Sequence, residues 1–378
     1  MRKILVIFCI FILSACTQEK EAESFKDAEI VIEPPRVMEE YRVFVRNENA
    51  RLGLYEPKEG VYAGVYTKDE IPDFDKKTAP HAMYVRNVTT KDVFPVSFIL
   101  SCIANSKVPY IVVNPANAYD PFNLDDLAEI ADEIGEFYAP VFVDIFPNAD
   151  ISRYNPADYI SFFRSARAIF ASRASNAALV FSCDELAEAR LFYPGDDAVD
   201  WVGVNTADFE QIYFYFQKKK PVIVSEYAVS HQSDSDYSYQ TKNAAAAVSA
   251  FYDNLKFYPR IKAINYINVN TLSGENYHNL SKNNYLVTDE ALILEAYKKA
   301  VSERKFAKTV SYTNAEISSA YALSPFPAQY FDGEFFIDTR TVVNDLEIKM
   351  FQSEEYTPLT ALGLKYRINP IDKIIYFD

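Results

Sequence analysis

The hydrophobic pattern from residue 61 onward alternates between short apolar runs and longer stretches with helix signals. Eight runs are rich in Val, Ile, Phe and Tyr, and most are continuous rather than alternating. Continuous runs are typical of parallel strands that are buried on both faces. The runs cover residues 61–66, 82–85, 110–115, 141–146, 177–182, 201–205, 222–226 and 263–268.

The stretches between these runs predict helices. Asn123 is a candidate N-cap followed by an acidic first turn, where the helix dipole favours anions. Asn155 followed by Pro156 is a strong start signal for another helix, and residues 288–290 are a candidate cap for the last one. Eight β/α units in this order predict an α/β protein, a (β/α)8 TIM barrel. An open doubly wound sheet is the alternative, although no Gly-rich phosphate loop follows any run.

The pattern changes after residue 304 to short alternating segments, at 333–338, 346–350, 364–368 and 374–377. These segments predict a small C-terminal β-rich appendage. The expected organisation is therefore a signal peptide over residues 1–15, a lipidated tether and lead-in over 16–55, the barrel over 56–305 and the β-rich module over 306–378.

The N-terminal residues predict a bacterial lipoprotein signal peptide. Arg2 and Lys3 precede an apolar segment, residues 4–13, that is too short to span a bilayer as a helix. Small residues then precede Cys16, whose thiol would carry the lipid after cleavage. An ordinary secretory signal is the alternative. We expect an extracytoplasmic protein held on a bacterial membrane by acyl chains, with the type of membrane left open.

The composition narrows the possible partners. The formal charge is −15, or −17 without Arg2 and Lys3, and such a balance repels nucleic acid and anionic lipid headgroups. The 28 Tyr and 28 Phe residues are compatible with an aromatic core or with platforms that stack on sugars. We expect a monomer that binds a polysaccharide or another cell-envelope glycan.

Cysteine and histidine give no sign of a metal site. Of the cysteines outside the signal and lipidation positions, Cys102 and Cys183 are expected to be buried free thiols rather than a disulfide. There is no CxxC motif, and the three histidines are scattered. We expect no metal and no cofactor.

Active sites of (β/α)8 barrels lie at the carboxyl ends of the strands. Glu226, at the end of the seventh run, is the strongest catalytic candidate, and Asn148 follows the fourth run. The eighth run offers Asn265 and Asn268. Side chains of the types that bind sugar hydroxyls and ring faces also end these runs, and the predicted substrate-binding residues are Asp144, Asp150, Trp201, Asn205, Tyr227 and Tyr266.

Three segments resemble glycoside hydrolase family 26, the retaining β-mannanase type of (β/α)8 glycosidase. Residues 158–160 and the helix after them are similar to the family's NPxDYxxxWR stretch. Residues 193–204, YPGDDAVDWVGV, are close to YPGDxYVDWVGVD, and residues 220–226, KPVIVSE, are similar to KPVMIxE. The resemblance covers about two thirds of the mature chain, residues 62–301, and implies that Glu226 is the catalytic nucleophile.

One departure from the family pattern concerns the acid/base residue. The family's fourth-strand motif has the form RPFHEMN, and here Asn148 stands at the position of its Glu, with Pro147 at its His and Asp144 at its Arg. A retaining glycosidase needs two carboxyls about 5–5.5 Å apart. Losing general acid–base help typically costs about 10²–10⁴-fold in rate. Asp144 or Asp150 could replace the missing acid from another angle.

Three hypotheses follow for the function. The first is a family 26-like barrel that binds polysaccharide at the cell surface, with catalysis lost or weak. The second is an active retaining glycoside hydrolase with a relocated acid, and the third is a non-enzymatic envelope scaffold. Mannan, xylan, mixed-linkage glucan and peptidoglycan are all compatible with the sequence.

Overall fold

The computed structural model describes residues 38–378 except 49, 117–120, 149–151, 206–208, 234, 236–237, 276, 278–279, 304, 311, 313–319 and 350–354. Cys16 and Asp150 lie outside the described residues. The helices are α1 Ile71–Lys77, α2 Val96–Ala104, α3 Leu124–Gly135, α4 Pro156–Arg173, α5 Leu186–Phe192, α6 Phe209–Phe216, α7 Thr241–Asn254, α8 Ala291–Ser302 and α9 Thr339–Asn344. The strands are β1 Glu39–Asn47, β2 Val61–Tyr66, β3 Met83–Thr89, β4 Val108–Asn114, β5 Val141–Ile145, β6 Ala177–Cys183, β7 Trp201–Asn205, β8 Val222–Tyr227, β9 Gln232–Ser233, β10 Ile261–Ile267, β11 Asn283–Asn284, β12 Phe306–Ala307, β13 Ala320–Leu323, β14 Ala328–Phe331, β15 Glu334–Asp338, β16 Tyr356–Pro358, β17 Tyr366–Asn369 and β18 Ile374–Phe377.

Eight parallel strands close into a ring. The hydrogen-bonded order is β2-β3-β4-β5-β6-β7-β8-β10, and β10 pairs with β2 to complete it. A helix follows each strand, and all eight predicted apolar runs lie on these strands. The predicted (β/α)8 TIM barrel is therefore confirmed, and the doubly wound alternative is excluded.

The helix starts follow the predicted caps in two cases of three. The side chain of Asn123 accepts a hydrogen bond from the Asp125 amide, and that of Asn155 accepts one from the Ala157 amide. Helix α8 begins without a side-chain cap. Asp289 instead accepts hydrogen bonds from His231 and Asn284, and thereby connects the loops that follow β8 and β10.

The barrel interior is filled at its amino end by large apolar side chains. Tyr62, Tyr110, Phe142 and Trp201 belong to this interior cluster and are almost completely buried. A second, larger cluster fills the space between the strands and the outer helices. Because aromatic rings occupy the amino half, the barrel has room for polar groups only at its carboxyl end.

The lead-in segment before β2 covers the amino end of the barrel. Trp201 donates its indole N–H to the Leu54 carbonyl at 2.7 Å, and Tyr62 donates its hydroxyl to the Tyr55 carbonyl at 2.9 Å. Glu56 forms a 2.7 Å ion pair with Arg260, and both side chains are 1% exposed. The pair fixes the lead-in to the strand that closes the ring.

A second sheet contains strands from both ends of the chain. Its order is β16-β15-β14-β1-β18-β17, with β13 also paired to β1. Residues 16–55 were expected to be tether and lead-in, whereas Glu39–Asn47 forms a central strand of this sheet, in which alternate residues such as Val43 and Val45 are buried. Residues 346–349 of the predicted segment 346–350 form no strand.

Two further features concern covalent links and membranes. Cys102 and Cys183 are buried free thiols, as the sequence predicts. Within the described part of the chain, every helix is too short or too polar to cross a bilayer.

The buried ion pair gives a stability prediction. Replacing Arg260 with Met leaves the Glu56 carboxylate without its cation in a buried site, and we expect a loss of about 3–5 kcal/mol in the free energy of unfolding. Chemical denaturation measures this loss. The double variant Glu56→Leu, Arg260→Met should recover part of it, because it removes both buried charges.

The control is Arg367→Ala, which removes an exposed partner of Asp378. It should change the free energy of unfolding by less than about 1 kcal/mol. Equal losses in Arg260→Met and Arg367→Ala would contradict the role assigned to the buried pair.

Candidate functional site

The closed ring brings polar side chains together at the carboxyl end of the barrel interior. Side chains two residues apart on a strand share a face, and Phe142 lies in the interior cluster, so Asp144 also points inward. Asn205 shares the inward face of β7 with Trp201. Asp184 follows β6 directly and accepts a hydrogen bond from the Asn205 amide. Three strands thus contribute Asp144, Asp184 and Asn205 to one group of polar side chains, which we call the polar chamber.

A β-bulge at Ser225 turns Glu226 toward the barrel axis. On the β7 side, Val224 and Glu226 pair with consecutive residues, so Ser225 is left out of the register. On the β10 side, Ser225 and Glu226 together face the single residue Asn265. Bulges of this kind re-aim side chains next to active sites. Without the bulge, simple alternation from the inward-facing Ile223 would point Glu226 outward.

Asp144 is almost completely buried at the centre of the polar chamber. Its Oδ2 atom accepts hydrogen bonds from the Tyr110 hydroxyl at 2.8 Å and the Ser182 hydroxyl at 2.6 Å, while its Oδ1 atom has no partner. Burial raises the pKa of Asp144 to about 7, the two hydroxyls lower it, and the charge of Asp184 raises it. Burial therefore favours the neutral form of this carboxyl.

Glu226 is half-buried at the end of β8. Burial raises its pKa to about 8, the charges of Asp144 and Asp184 raise it further, and a hydrogen bond from Tyr277 lowers it. A carboxyl with this pKa is mostly protonated at pH 7. The resemblance assigns Glu226 the part of nucleophile, and a nucleophilic carboxylate must be ionised.

The acid/base position of the family is occupied by an amide. Asn148 is half-buried just past β5, with a left-handed φ of 57°, and its backbone N–H donates to the Ser182 carbonyl at 3.2 Å. Phe146, two residues earlier, is also left-handed, with φ 51°. Left-handed backbone at a non-glycine residue is uncommon and often marks functional loops. Asn148 thus lies at the barrel mouth, as predicted, and cannot supply a proton.

Trp201 does not reach the mouth, which contradicts its predicted role in sugar binding. It begins β7 at the amino end of the barrel, is completely buried, and packs edge-to-face on Phe142 with ring centroids 5.4 Å apart. The pattern identified the strand correctly, but the residue lies at its first position. A role in packing explains the tryptophan.

Tyr227 and Tyr266 also point away from the chamber, so their predicted substrate-binding roles are corrected. The Tyr227 ring stacks on Phe251 of α7 at 3.8 Å between centroids. The Tyr266 hydroxyl donates to the Tyr285 carbonyl at 3.0 Å. Tyr227 lies on the outer face because the bulge at Ser225 exchanges the faces of the last residues of β8. Tyr266 lies there by regular alternation along β10 from the inward-facing Ala263.

Three residues of the site were not predicted from the sequence. Asp184 lies two positions beyond the fifth predicted run, and Asn87 two positions beyond the second, so extending each run by one inward position would have found them. Tyr277 lies in the long loop after β10 and packs edge-to-face on Tyr66 with ring centroids 4.7 Å apart. No local sequence pattern distinguishes Tyr277 from Tyr285, the other tyrosine of that loop.

A cavity of about 690 Å³ opens beside the chamber at the carboxyl ends of β3, β4 and β5. Its lining includes Asn87, Asn114, Pro147, Arg153 and Tyr154. This volume lies in the usual range of small-ligand sites. Asn87 lines this cavity and also acts on the pKa of Tyr277, so it lies next to both the cavity and the chamber.

In the described parts of the chain, no three His, Cys, Asp or Glu side chains come together in an arrangement that could hold a metal ion.

The raised pKa of Glu226 predicts a pH-dependent stability. The folded protein holds this proton more tightly than the unfolded chain, so the contribution of Glu226 to stability falls as pH rises from about 4.5 to about 8. Glu226→Gln removes the ionisable group. We expect the variant to be more stable than the parent by about 1–3 kcal/mol at pH 9, and this difference to shrink toward pH 5.

Chemical denaturation at several pH values measures this difference. Glu133→Gln, an identical change at an exposed position of α3, is the matched control and should show no such trend. A Glu226→Gln variant whose stability relative to the parent is the same at pH 5 and pH 9 would contradict the raised pKa.

Comparisons with known proteins concern the fold. No family model matches the sequence, and no curated protein matches it. Among solved structures, the chain is similar to a Cellulomonas fimi endo-beta-1,4-mannanase double mutant, at 14% identity, 66% coverage of this chain, 72% of the other and a TM-score of 0.48. It is also similar to GH26C from Muricauda sp. MAR_2010_75, at 14% identity, 67% and 88% coverage and a TM-score of 0.49. A GH113 beta-1,4-mannanase gives 8% identity, 65% and 99% coverage and a TM-score of 0.46. The chain resembles these glycoside hydrolases in its barrel fold, which the strand pairing establishes independently.

Proposed function

We propose that this protein binds a glycan at the carboxyl end of its barrel and hydrolyses it weakly or not at all. The observation that carries the proposal is that Glu226 points inward while an amide, Asn148, stands at the position that the resemblance assigns to the acid/base residue. The chamber offers groups that can hold a sugar, whereas the position that the resemblance assigns to the acid/base residue carries no proton donor.

The protonation of Glu226 supports the loss of catalysis. A retaining mechanism needs one ionised carboxylate to attack and a second carboxyl to protonate the leaving oxygen. Glu226 has a pKa of about 8 and is mostly protonated at neutral pH. A protonated carboxyl is a poor nucleophile, but it donates and accepts hydrogen bonds to sugar hydroxyls.

The surroundings of Glu226 support a sugar ligand. Asn205, Asp184 and Asn87 offer amide and carboxylate groups, which form the directional hydrogen bonds that hydroxyls require. The adjoining cavity of about 690 Å³ adds an aromatic wall at Tyr154. Aromatic faces and paired polar groups together suit a pyranose ring.

A second candidate function is a glycoside hydrolase with a relocated acid. The charges of Asp144 and Asp184 both act on Glu226, so other carboxyls share its chamber. Carboxyls whose pKa values are pushed apart can divide the roles of acid and nucleophile. In that case, Glu226 would suit the role of acid better than that of nucleophile.

Aryl glycosides with a good leaving group separate the two candidates, because their cleavage needs little acid help. We expect no release of the aryl alcohol from β-mannoside, β-glucoside or β-xyloside substrates above the buffer rate. Release by the parent protein that is abolished in Glu226→Gln would support the hydrolase instead.

Glycan binding is tested on an array of mannan, xylan, mixed-linkage glucan and peptidoglycan fragments, followed by calorimetry with the best ligand. We expect Asn205→Ala to weaken binding about tenfold, because it removes one side chain that hydrogen-bonds in the chamber. Glu133→Gln is the control. Failure of every glycan to bind would refute the proposal.

We propose further that the mature chain begins at Cys16 and is held by acyl chains on the outer side of a bacterial membrane. The support is the sequence pattern of residues 1–16. In a bacterial host, radiolabelled fatty acid should enter the parent protein, and Cys16→Ser should abolish labelling and move the protein to the soluble fraction. Membrane retention of unlabelled Cys16→Ser would contradict lipid anchoring.

A further inference from the structure

The two ends of the barrel carry opposite charge. The eight segments between each barrel strand and its following helix lie at the carboxyl end, and their described residues include 8 acidic and 4 basic side chains. The described residues of the eight segments that follow helices α1 to α8 lie at the amino end and include 5 acidic and 7 basic side chains. Such a distribution attracts cations toward the mouth and repels anions from it.

The acidic character continues into the chamber. Asp144, Asp184 and Glu226 come from three different strand ends, and the charged groups that act on Glu226 among the described residues are the two other carboxyls. Asp184 is likewise the charged group that acts on Asp144. A buried group of carboxyls is costly unless a cation compensates it or protons bind to it.

The unsatisfied hydrogen-bonding atoms around these carboxyls point to a donor-rich ligand. The Oδ1 atoms of Asp144, Asn87 and Asn265 are buried and without partners, as is the Nδ2 atom of Asn265. Asn265 is completely buried, faces Glu226 across the β8–β10 ladder, and has space because Gly64 lies beside it. These atoms are three hydrogen-bond acceptors and one donor that have no partner among the described residues.

An ammonium group matches the three acceptors of this set. It carries one positive charge and three N–H donors, whereas a hydroxyl offers one donor and no charge. Hydrogen bonds between a cation and a carboxylate are roughly twice as strong as those between neutral groups. A cation bound beside Glu226 favours the ionised form of that carboxyl, which therefore releases its proton when the ammonium binds.

We propose that the glycan residue held in this chamber is an amino sugar whose protonated amine lies beside Glu226, with Asp144 and Asp184 adding negative charge nearby. This inference rests on the proposed glycan-binding function and adds the ligand class. Other cationic ligands, such as a free polyamine, share the ammonium chemistry, and the experiment separates them from a glycan.

The test uses calorimetry at pH 7 with the purified full chain and three hexasaccharides of the same β-1,4-linked backbone. These are oligomers of glucosamine, N-acetylglucosamine and glucose. We expect the glucosamine oligomer to bind at least about tenfold more tightly than the other two, because acetylation removes the charge and two N–H donors. Methyl glycosides of galactosamine and mannosamine, measured by NMR against their parent hexosides, extend the comparison to other ring configurations.

Substitutions of single carboxyls test whether the preference for the amino ligand depends on Glu226 and Asp184. Glu226→Gln should weaken binding of the amino ligand by a factor about tenfold larger than any loss it causes for the neutral ligand. Glu133→Gln, the same change on the exposed face of α3, should alter neither. Asp184→Asn should behave like Glu226→Gln.

Two results would overturn the inference. If the neutral or acetylated sugars bind as tightly as their amino counterparts in every ring configuration, the ligand class is wrong while glycan binding stands. If spermidine binds in a Glu226-dependent manner and no sugar binds, both the amino-sugar inference and the proposed function fail.

Discussion

Closure of the ring between β10 and β2 is the constraint on which the rest of the structure depends. Once eight parallel strands form a closed ring, each strand has one inward and one outward face, and the interior volume is fixed. Tyr62, Phe142 and Trp201 fill the amino half, so polar groups can gather only at the other end. A departure from regular alternation, the bulge at Ser225, provides the inward carboxyl of Glu226.

The sequence predicted the elements of the barrel well, because buried parallel strands produce continuous apolar runs that need no tertiary information. It predicted the direction of side chains less well. Asp144, Asn205 and Glu226 point into the chamber, whereas Tyr227 and Tyr266 do not. Tyr227 points outward because of a one-residue bulge, which leaves no mark in the hydrophobic pattern, and Tyr266 follows the alternation of β10. Tyr277 reaches the site from a long loop, and only the folded chain brings it there.

The family motif with the highest specificity has a structural role. Residues 193–200 precede β7 and lie at the amino end of the barrel, opposite the chamber. Asp200 accepts hydrogen bonds from Arg167 at 2.6 Å and from the Leu179 amide at 2.9 Å, and Asp197 pairs with Arg164. Polar groups at this face of a barrel contribute to stability rather than to chemistry. The resemblance is therefore strongest where it concerns the fold and weakest at Asn148, where activity would be decided.

The position of β1 in the second sheet has a consequence for the order of folding. Its partners β13, β14 and β18 are formed by residues 320–377, so the first described strand of the chain pairs with the last. Contacts between residues so far apart in sequence form slowly, because the intervening chain must be closed into a loop. During synthesis, the barrel strands are all available before residue 320 emerges, while β1 has no partner. An unpaired strand of this kind is a natural binding segment for a chaperone until the C-terminal strands arrive.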